Sequence, residues 1–274
     1  MRRQGDRSLM RGDLTRAGEE YEAARRMAES LDDTKGLIVA LNNVGRVALR
    51  RGEVSQAIVS HGRAVVLAQQ LAEPDLVIAS LTDFATAEHQ AGNLPEAERR
   101  YEEALELAQQ RGDRSAEATL RNNLGLVRQA DGEVEQAAQL FRQAMALNQA
   151  LGNAGSEASN HVNLGMLAEA RGDYETAERE YERALELDKT GEQRMEIAAD
   201  LLLLGKIADR RGFSDRGLTY SERAYHSYLA QDAFAEARTA LSQAAACAKK
   251  LERAGDLVRL EKELTRLNAL HRMQ

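Results

Sequence analysis

The sequence predicts an all-α solenoid, a stack of about six to seven antiparallel helix-turn-helix units with a forty-residue period. Six glycines stand forty residues apart, at Gly12, Gly52, Gly92, Gly132, Gly172 and Gly212. Small and aromatic residues recur in the same frame at helical spacing, and the chain has only two prolines and no tryptophan. Because a single helical hairpin cannot bury its own apolar face, it packs on its neighbours, and the fixed period records that stacking.

One helix of each unit carries small residues on both sides of a larger, usually aromatic, residue. We number the forty-residue frame so that each of those glycines is position 2. Position 7 holds Ala17, Ala57, Ala97, Ala137, Ala177 and Gly217; position 11 holds Tyr21, His61, Tyr101, Phe141, Tyr181 and Ser221; position 14 holds Ala24, Ala64, Ala104, Ala144, Ala184 and Ala224. Spacings of three and four place these positions on one helix face, so we expect a close neighbouring helix with the ring filling the gap.

The other helix of each unit repeats a large residue followed by a small one. Position 34 holds Val44, Phe84, Leu124, Leu164, Leu204 and Ala244, and position 35 holds Gly45, Ala85, Gly125, Gly165, Gly205 and Ala245. Glycine inside a helix costs about 1 kcal/mol relative to alanine. Four glycines at one position therefore predict burial, and we expect backbone contact between the paired helices.

Turn residues agree with this frame. Each glycine at position 2 falls where a helix end needs a left-handed residue. After five of the six glycines an acidic or amide residue follows, which can cap the next helix or favour its positive end: Asp13, Glu53, Asn93, Glu133 and Asp173. Pro74 and Pro95 fall in first helical turns. The pattern predicts about thirteen helices, nearly all of about 15 to 18 residues, with short turns.

Composition narrows the classes of function. The net charge is −7 and the pI about 5.5, which disfavours nucleic-acid binding because phosphates need a concentrated basic face. Cys247 is the single cysteine, and no signal-like or membrane-spanning apolar run occurs, so we expect a cytoplasmic protein. The predominance of Arg over Lys is typical of a GC-rich bacterial gene. No catalytic, metal-binding or phosphate-binding motif is evident, so we expect no enzyme activity, cofactor or metal.

The repeated motifs resemble those of the tetratricopeptide repeat family. They include Asn122-Asn123-Leu124-Gly125, Arg171-Gly172-Asp173-Tyr174 and Glu180-Tyr181-Glu182-Arg183-Ala184-Leu185. The forty-residue variant is similar to kinesin light chains, the spindle-orientation adaptor LGN and bacterial peptide-sensing regulators. The resemblance implies one right-handed solenoid over 1–274: a partial opening repeat 1–30, repeats at about 38–71, 78–111, 118–151, 158–191 and 198–231, and a C-terminal capping hairpin 233–272.

The resemblance also implies a peptide-binding groove at frame positions 32, 33, 36 and 40. The expected binding residues are Asn43, Asp83, Asn123 and Asn163 as a polar ladder, Arg46, Arg50, Lys206 and Arg210 as basic groups, and Met166, Leu202 and Leu203 as an apolar patch. A side-chain amide can donate to and accept from a peptide backbone, and the cations can pair with ligand carboxylates. Alternatively, the amides bond neighbouring helices, the cations are solvated, and the leucines pack against the C-terminal cap.

The leading functional hypothesis is a non-enzymatic protein–protein interaction scaffold that binds an extended peptide or a partner helix. One alternative is a ligand-sensing, regulatory part of a larger bacterial signalling or transcription protein. Another is a self-assembling structural scaffold, a homo-oligomer formed through the terminal repeats. We expect a protein or peptide partner, and neither nucleic acid nor membrane.

Overall fold

The structure is a computed structural model that describes residues 2–271. That part of the chain forms fourteen α-helices and no strand, one helix more than the sequence pattern predicted. The helices are α1 (Arg2–Met10), α2 (Leu14–Ser30), α3 (Thr34–Arg50), α4 (Val54–Leu71), α5 (Pro74–Gln90), α6 (Leu94–Gln110), α7 (Arg114–Ala130), α8 (Val134–Leu151), α9 (Ala154–Ala170), α10 (Tyr174–Thr190), α11 (Arg194–Arg210), α12 (Ser214–Leu229), α13 (Phe234–Lys250) and α14 (Ala254–His271).

Consecutive helices pair as seven antiparallel hairpins, from α1/α2 to α13/α14, which confirms the predicted all-α solenoid class. The chain divides into two compact units between Leu147 and Asn148, inside α8. Unit 1 contains α1 to α7 and most of α8, and unit 2 contains the end of α8 and α9 to α14. Within the described residues, no helix combines the length and apolar character that a membrane crossing requires.

The left-handed glycines and the first-turn prolines are confirmed, while the predicted caps are confirmed only in part. All six glycines at position 2 adopt a left-handed backbone, with φ between +76° and +86°. Asp13 and Asp173 then cap α2 and α10 by accepting from the backbone N–H of Arg16 and Thr176, at 3.0 and 3.1 Å. Asn93, by contrast, donates its amide to Glu88 and makes no cap bond to α6. Pro74 and Pro95 lie in the first turns of α5 and α6.

The packing at position 35 differs from the expectation of backbone contact. A Cβ placed on Gly125 would lie 2.6 Å from Cε1 of Phe141, and one on Gly165 would lie 2.5 Å from Cε1 of Tyr181. The ring at position 11 therefore rests directly on the bare glycine of the paired helix. The glycine is needed because the ring requires the space, so the expected backbone contact is wrong for these hairpins.

The α11/α12 hairpin is the exception in which the backbones do meet. It has Ser221 in place of the ring, and a Cβ on Gly205 would lie 3.3 Å from both the carbonyl oxygen of Gly217 and the backbone nitrogen of Ser221. Without an aromatic spacer, the two helices approach through their small residues.

The first and last hairpins close the two ends of the described structure. The short helix α1 repeats the pattern of the later hairpins, because Gly5 receives the ring of Tyr21, whose hydroxyl donates to Asp6 at 2.6 Å. In α14, Leu260 and Leu267 are buried in the core of unit 2. Their large side chains fit the predicted capping role of this hairpin.

Candidate functional site

The first helices of neighbouring hairpins form a continuous surface within each unit. Helix α3 contacts α5 and α5 contacts α7 in unit 1, and α11 contacts α13 in unit 2. We call the frame positions 29, 32, 33, 36 and 40 of α3, α5 and α7 the inner wall of unit 1. The same positions of α9, α11 and α13 are the inner wall of unit 2. All the predicted binding residues lie at these positions.

The inner wall of unit 1 contains a cleft of about 360 Å³. Its lining residues are Arg46, Ala79, Thr82, Asp83, Asp113, Ser115, Ala116, Thr119 and Leu120. The hydroxyls of Thr82 and Thr119 donate to carbonyls of their own helices, which leaves their oxygen lone pairs as acceptors towards the cleft. The sequence analysis missed position 29, where small residues recur from Val39 to Thr239. The sequence could have indicated it, because position 29 lies four residues before position 33, on the same helix face as the predicted binding residues.

Arg46 and Asp83 form an ion pair across the cleft. Nε of Arg46 lies 3.0 Å from Oδ2 of Asp83, and Nη2 lies 3.0 Å from the same oxygen. Burial raises the pKa of Asp83, while the guanidinium opposes that rise. Arg46 therefore already has Asp83 as a counter-ion, which a ligand carboxylate has to share or replace. Arg50, one turn further along α3, is exposed.

The amides of unit 1 have different environments. Asn43 is buried and lines a second cleft, of about 450 Å³, between α2 and α3. Asn123 is half-buried and accepts from Asn122 at 3.4 Å. Both predicted amides thus lie on the inner wall, and only Asn123 has substantial exposure.

A buried hydrogen-bond network lies beneath this wall. Asn42 donates to Ser80 at 2.9 Å, and its side-chain oxygen lies 3.3 Å from Nδ1 of His61. Burial lowers the pKa of His61 to about 4, which favours the neutral ring. The amide of Asn42, at position 32, therefore bonds to neighbouring helices, one position before the predicted ladder.

The inner wall of unit 2 is more apolar. Met166 is 44% exposed, while Val162 and Leu203 are partly buried against the unit's core. Leu202 is only 8% exposed and belongs to that core, so the expectation that it is available to a ligand is wrong. The predicted patch thus consists of Met166 and Leu203, with Val162 beside them.

Polar groups border this apolar patch. Arg210 pairs with Glu169 at 2.9 Å and lies over the ring of Tyr174, with 5.9 Å from Cζ to the ring centroid. Lys206 is half-buried, and no carboxylate of the described chain forms an ion pair with it. Asn163 is also half-buried. Of the two predicted cations, Lys206 is therefore the one without an intramolecular counter-ion.

Two carboxyl groups are buried between α10 and α11. Asp188 and Asp200 are 3% and 2% exposed, and their side chains hydrogen-bond to each other. Burial, followed by the charge of Asp188, raises the pKa of Asp200 to about 8. One frame earlier, Asn148 donates to Asn160 at 2.9 Å at the same two positions. The sequence analysis missed this pair, which lies away from the inner walls.

His61, His161 and Cys247 are buried or hydrogen-bonded within the fold. Within residues 2–271, no group of three or more His, Cys, Asp or Glu side chains is arranged to hold a metal ion. His161 pairs with Glu180 at 2.7 Å, and His61 occupies the aromatic core position, as predicted. Burial raises the pKa of Cys247 to about 11, so its thiol stays protonated at neutral pH.

Models of one protein family match this sequence. Their description is tetratricopeptide repeat, and they match residues 37–110, 76–150 and 158–190, which together exceed half of the chain. Among curated proteins, none is significantly similar in sequence.

Solved structures share the fold at low sequence identity. The Rap conjugation gene regulator of plasmid pLS20, in complex with the Phr* peptide, superposes with a TM-score of 0.67 at 17% identity, covering 98% of this chain and 72% of the regulator. A signal transduction ATPase with a tetratricopeptide repeat sensor, from Pyrococcus horikoshii, superposes with a TM-score of 0.76 at 17% identity. The match covers 89% of this chain and 37% of the ATPase. A kinesin light chain-like repeat protein of Podosopora anserina superposes with a TM-score of 0.59 at 15% identity, covering 71% of this chain and 96% of that protein.

Proposed function

Because the chain belongs to the tetratricopeptide repeat family, we propose that it is a non-enzymatic interaction protein that binds an extended peptide or a partner helix along its inner walls. The observation that carries this proposal is the cleft of about 360 Å³ in unit 1. It is open, and it presents hydroxyl and charged groups on helices α3, α5 and α7. The Rap regulator, a structural neighbour, was solved in complex with a peptide, which supports peptide binding as the function of this chain.

The chemistry of the cleft suits a peptide backbone. Thr82 and Thr119 line the cleft and offer hydroxyl oxygens as acceptors for the N–H groups of an extended chain, and Asn123 lies on the same inner wall outside the cleft lining. Small residues at position 29, such as Ala79, let a backbone approach the helices closely. The Arg46–Asp83 pair supplies one charge of each sign, so it can orient a peptide without selecting a single ligand charge.

The inner wall of unit 2 supplies an apolar contact in this proposal. Met166 and Leu203 provide an adaptable hydrophobic surface, and Lys206 offers an unpaired cation at its border. A ligand residue bound there is apolar, with a carboxylate within reach of Lys206. Leu203→Asp is expected to weaken the binding of such a ligand.

A random heptapeptide display library tests the proposal. Peptides selected on the wild-type protein should lose at least about tenfold in affinity for a Thr82→Arg, Thr119→Arg variant, because the added side chains fill the cleft. The matched control adds two arginines to exposed positions of α8, Gln136→Arg and Gln139→Arg, and should bind as the wild type does. Failure to select any peptide, or equal binding to both double variants, would contradict the proposal.

A sensor role is a second candidate. The Pyrococcus horikoshii ATPase is described as having a tetratricopeptide repeat sensor, and this chain covers 37% of it. In that role, the bound ligand changes the activity of an effector domain instead of bridging two proteins. Limited proteolysis with and without a selected peptide separates the two roles: a sensor shows a ligand-dependent change in cleavage far from the cleft, and an adaptor shows protection at the cleft alone.

A further inference from the structure

The surface of α12 carries a row of aromatic and arginine side chains that has no counterpart on α10. Phe213, Arg216, Tyr220 and Arg223 follow at spacings of three, four and three, so they share one face of the helix and its first cap. The same frame positions on α10 hold polar residues only: Asp173, Thr176, Glu180 and Arg183. The row lies on a second helix of a hairpin, away from the inner-wall positions.

Guanidinium groups and rings alternate along this row. Cζ of Arg216 lies 6.0 Å from the ring centroid of Phe213 and 5.9 Å from that of Tyr220, and Cζ of Arg223 lies 6.0 Å from Tyr220. A shallow cleft of about 320 Å³ is lined by Asp215, Arg216, Thr219, Tyr220 and Arg223. The carboxylate of Asp215 is paired with Arg253. Contact with the rings restricts the arginines, which reduces the entropy that they lose when they bind.

Phe213 departs from the helix-capping residues found at its frame position. At the same position, Asp13 and Asp173 each accept a backbone N–H and cap the following helix. Phe213 makes no cap bond, although it is the N-cap of α12, and its side chain is 47% exposed. A lost cap costs about 1 kcal/mol, and a ring that is 47% exposed leaves much of its apolar surface in contact with water. A residue that lowers stability while exposing apolar surface is typical of an interaction site.

Charge indicates the chemistry of the partner. Arg211 and Arg216 both pair with the buried carboxylate of Glu178, and Arg216 lies 3.7 Å from Glu182. Among the described residues, no carboxylate forms an ion pair with Arg223. The row therefore has an uncompensated guanidinium beside aromatic surface. The interleaved carboxylates disfavour a polyphosphate such as nucleic acid, which needs a concentrated basic face.

We propose that the row from Phe213 to Arg223 is a second interaction surface, which binds an acidic segment of a partner protein. A carboxylate of the segment pairs with Arg223 in the cleft, and an aromatic or aliphatic side chain next to it lies on Phe213 and Tyr220. Tyrosine and arginine are the residues that most often dominate interface energies. This surface is separate from the inner walls, so it works whether or not a peptide binds there.

Fluorescence anisotropy with three labelled probes tests the proposal. The probes are a peptide of about twelve residues that repeats Asp-Glu-Phe, its neutral counterpart that repeats Asn-Gln-Phe, and an oligothymidylate of about the same length, all long enough for a row of about 15 Å. We expect the acidic peptide to bind at least about tenfold tighter than the neutral one. Equal affinities, or tighter binding of the oligothymidylate, would overturn the proposal.

Two variants and a control locate the binding. Arg223→Glu should weaken binding of the acidic peptide about tenfold or more. Phe213→Asp should weaken it too, yet raise the melting temperature, because it restores the cap seen at Asp173. Arg183→Glu, at the same frame position on α10, should bind as the wild type does. Wild-type affinity in either row variant, or a lower melting temperature in Phe213→Asp, would overturn the proposal.

Discussion

Gly125 shows how one missing side chain shapes a hairpin. Its recurrence at position 35 predicted burial, because a helical glycine needs compensation from packing. The sequence could not show that the ring of Phe141 fills the space, because which atoms meet depends on side-chain direction in three dimensions. Leu202 illustrates the same limit: adjacent residues on a helix point about 100° apart, so Leu202 enters the core while Leu203 stays half-exposed.

We expect Gly125→Ala to lower the free energy of unfolding by about 1–3 kcal/mol, because Phe141 must shift to admit the new Cβ. Its control is Gly155→Ala in α9, where a Cβ would meet nothing within 4 Å, and that change should be neutral or stabilising by up to about 1 kcal/mol. Urea unfolding followed by circular dichroism measures both. If Gly125→Ala proved as stable as Gly155→Ala, the account of ring-on-glycine packing would be wrong.

The junction between α10 and α11 is held by a pair of carboxyl groups. Frame positions 18 and 30 carry no common residue type, so recurrence gave no signal for Asp188 and Asp200. The junction between α8 and α9 shows why the two carboxyl groups can face each other, because Asn148 and Asn160 make the equivalent contact there with neutral amides. A carboxyl pair reproduces the amide contact only while one member keeps its proton.

This junction should make stability depend on pH. The pKa of Asp200 rises from its ordinary value of 3.8 to about 8 on folding, so the folded state holds a proton that the unfolded state releases. The stability that this proton confers is fully present below about pH 4, falls as the pH rises towards 8, and is lost above that pH. Asp200→Asn stays neutral throughout, so its free energy of unfolding relative to the wild type should increase from pH 5 to pH 8, to at least about 1 kcal/mol.

Urea unfolding at several pH values measures this difference. The reciprocal variant, Asn160→Asp, places a carboxyl beside Asn148 and should lose stability with rising pH when compared with the wild type. A constant difference between Asp200→Asn and the wild type from pH 5 to pH 8 would rule out proton sharing at the junction.

For the chain as a whole, the forty-residue period was enough to predict the fold class. Recurring glycines, alanines and rings encode hairpins that pack on one another, and each signal is local in sequence. The inner-wall positions followed from the family resemblance, and their role in binding stays a prediction. Whether these residues are available to a ligand was less predictable, because it depends on side chains from other hairpins. Asp83 forms an ion pair with Arg46, and Glu169 forms one with Arg210.

The central claim is that the inner wall of unit 1 binds an extended peptide or partner helix. Hydrogen exchange measured by mass spectrometry, with and without a peptide selected from the library, tests it most directly. We expect slower exchange in α5 and α7, whose residues line the cleft, and no change in α6, which contributes none. Protection of α6 alone, or no protection of α5 and α7 at saturating peptide, would contradict the account.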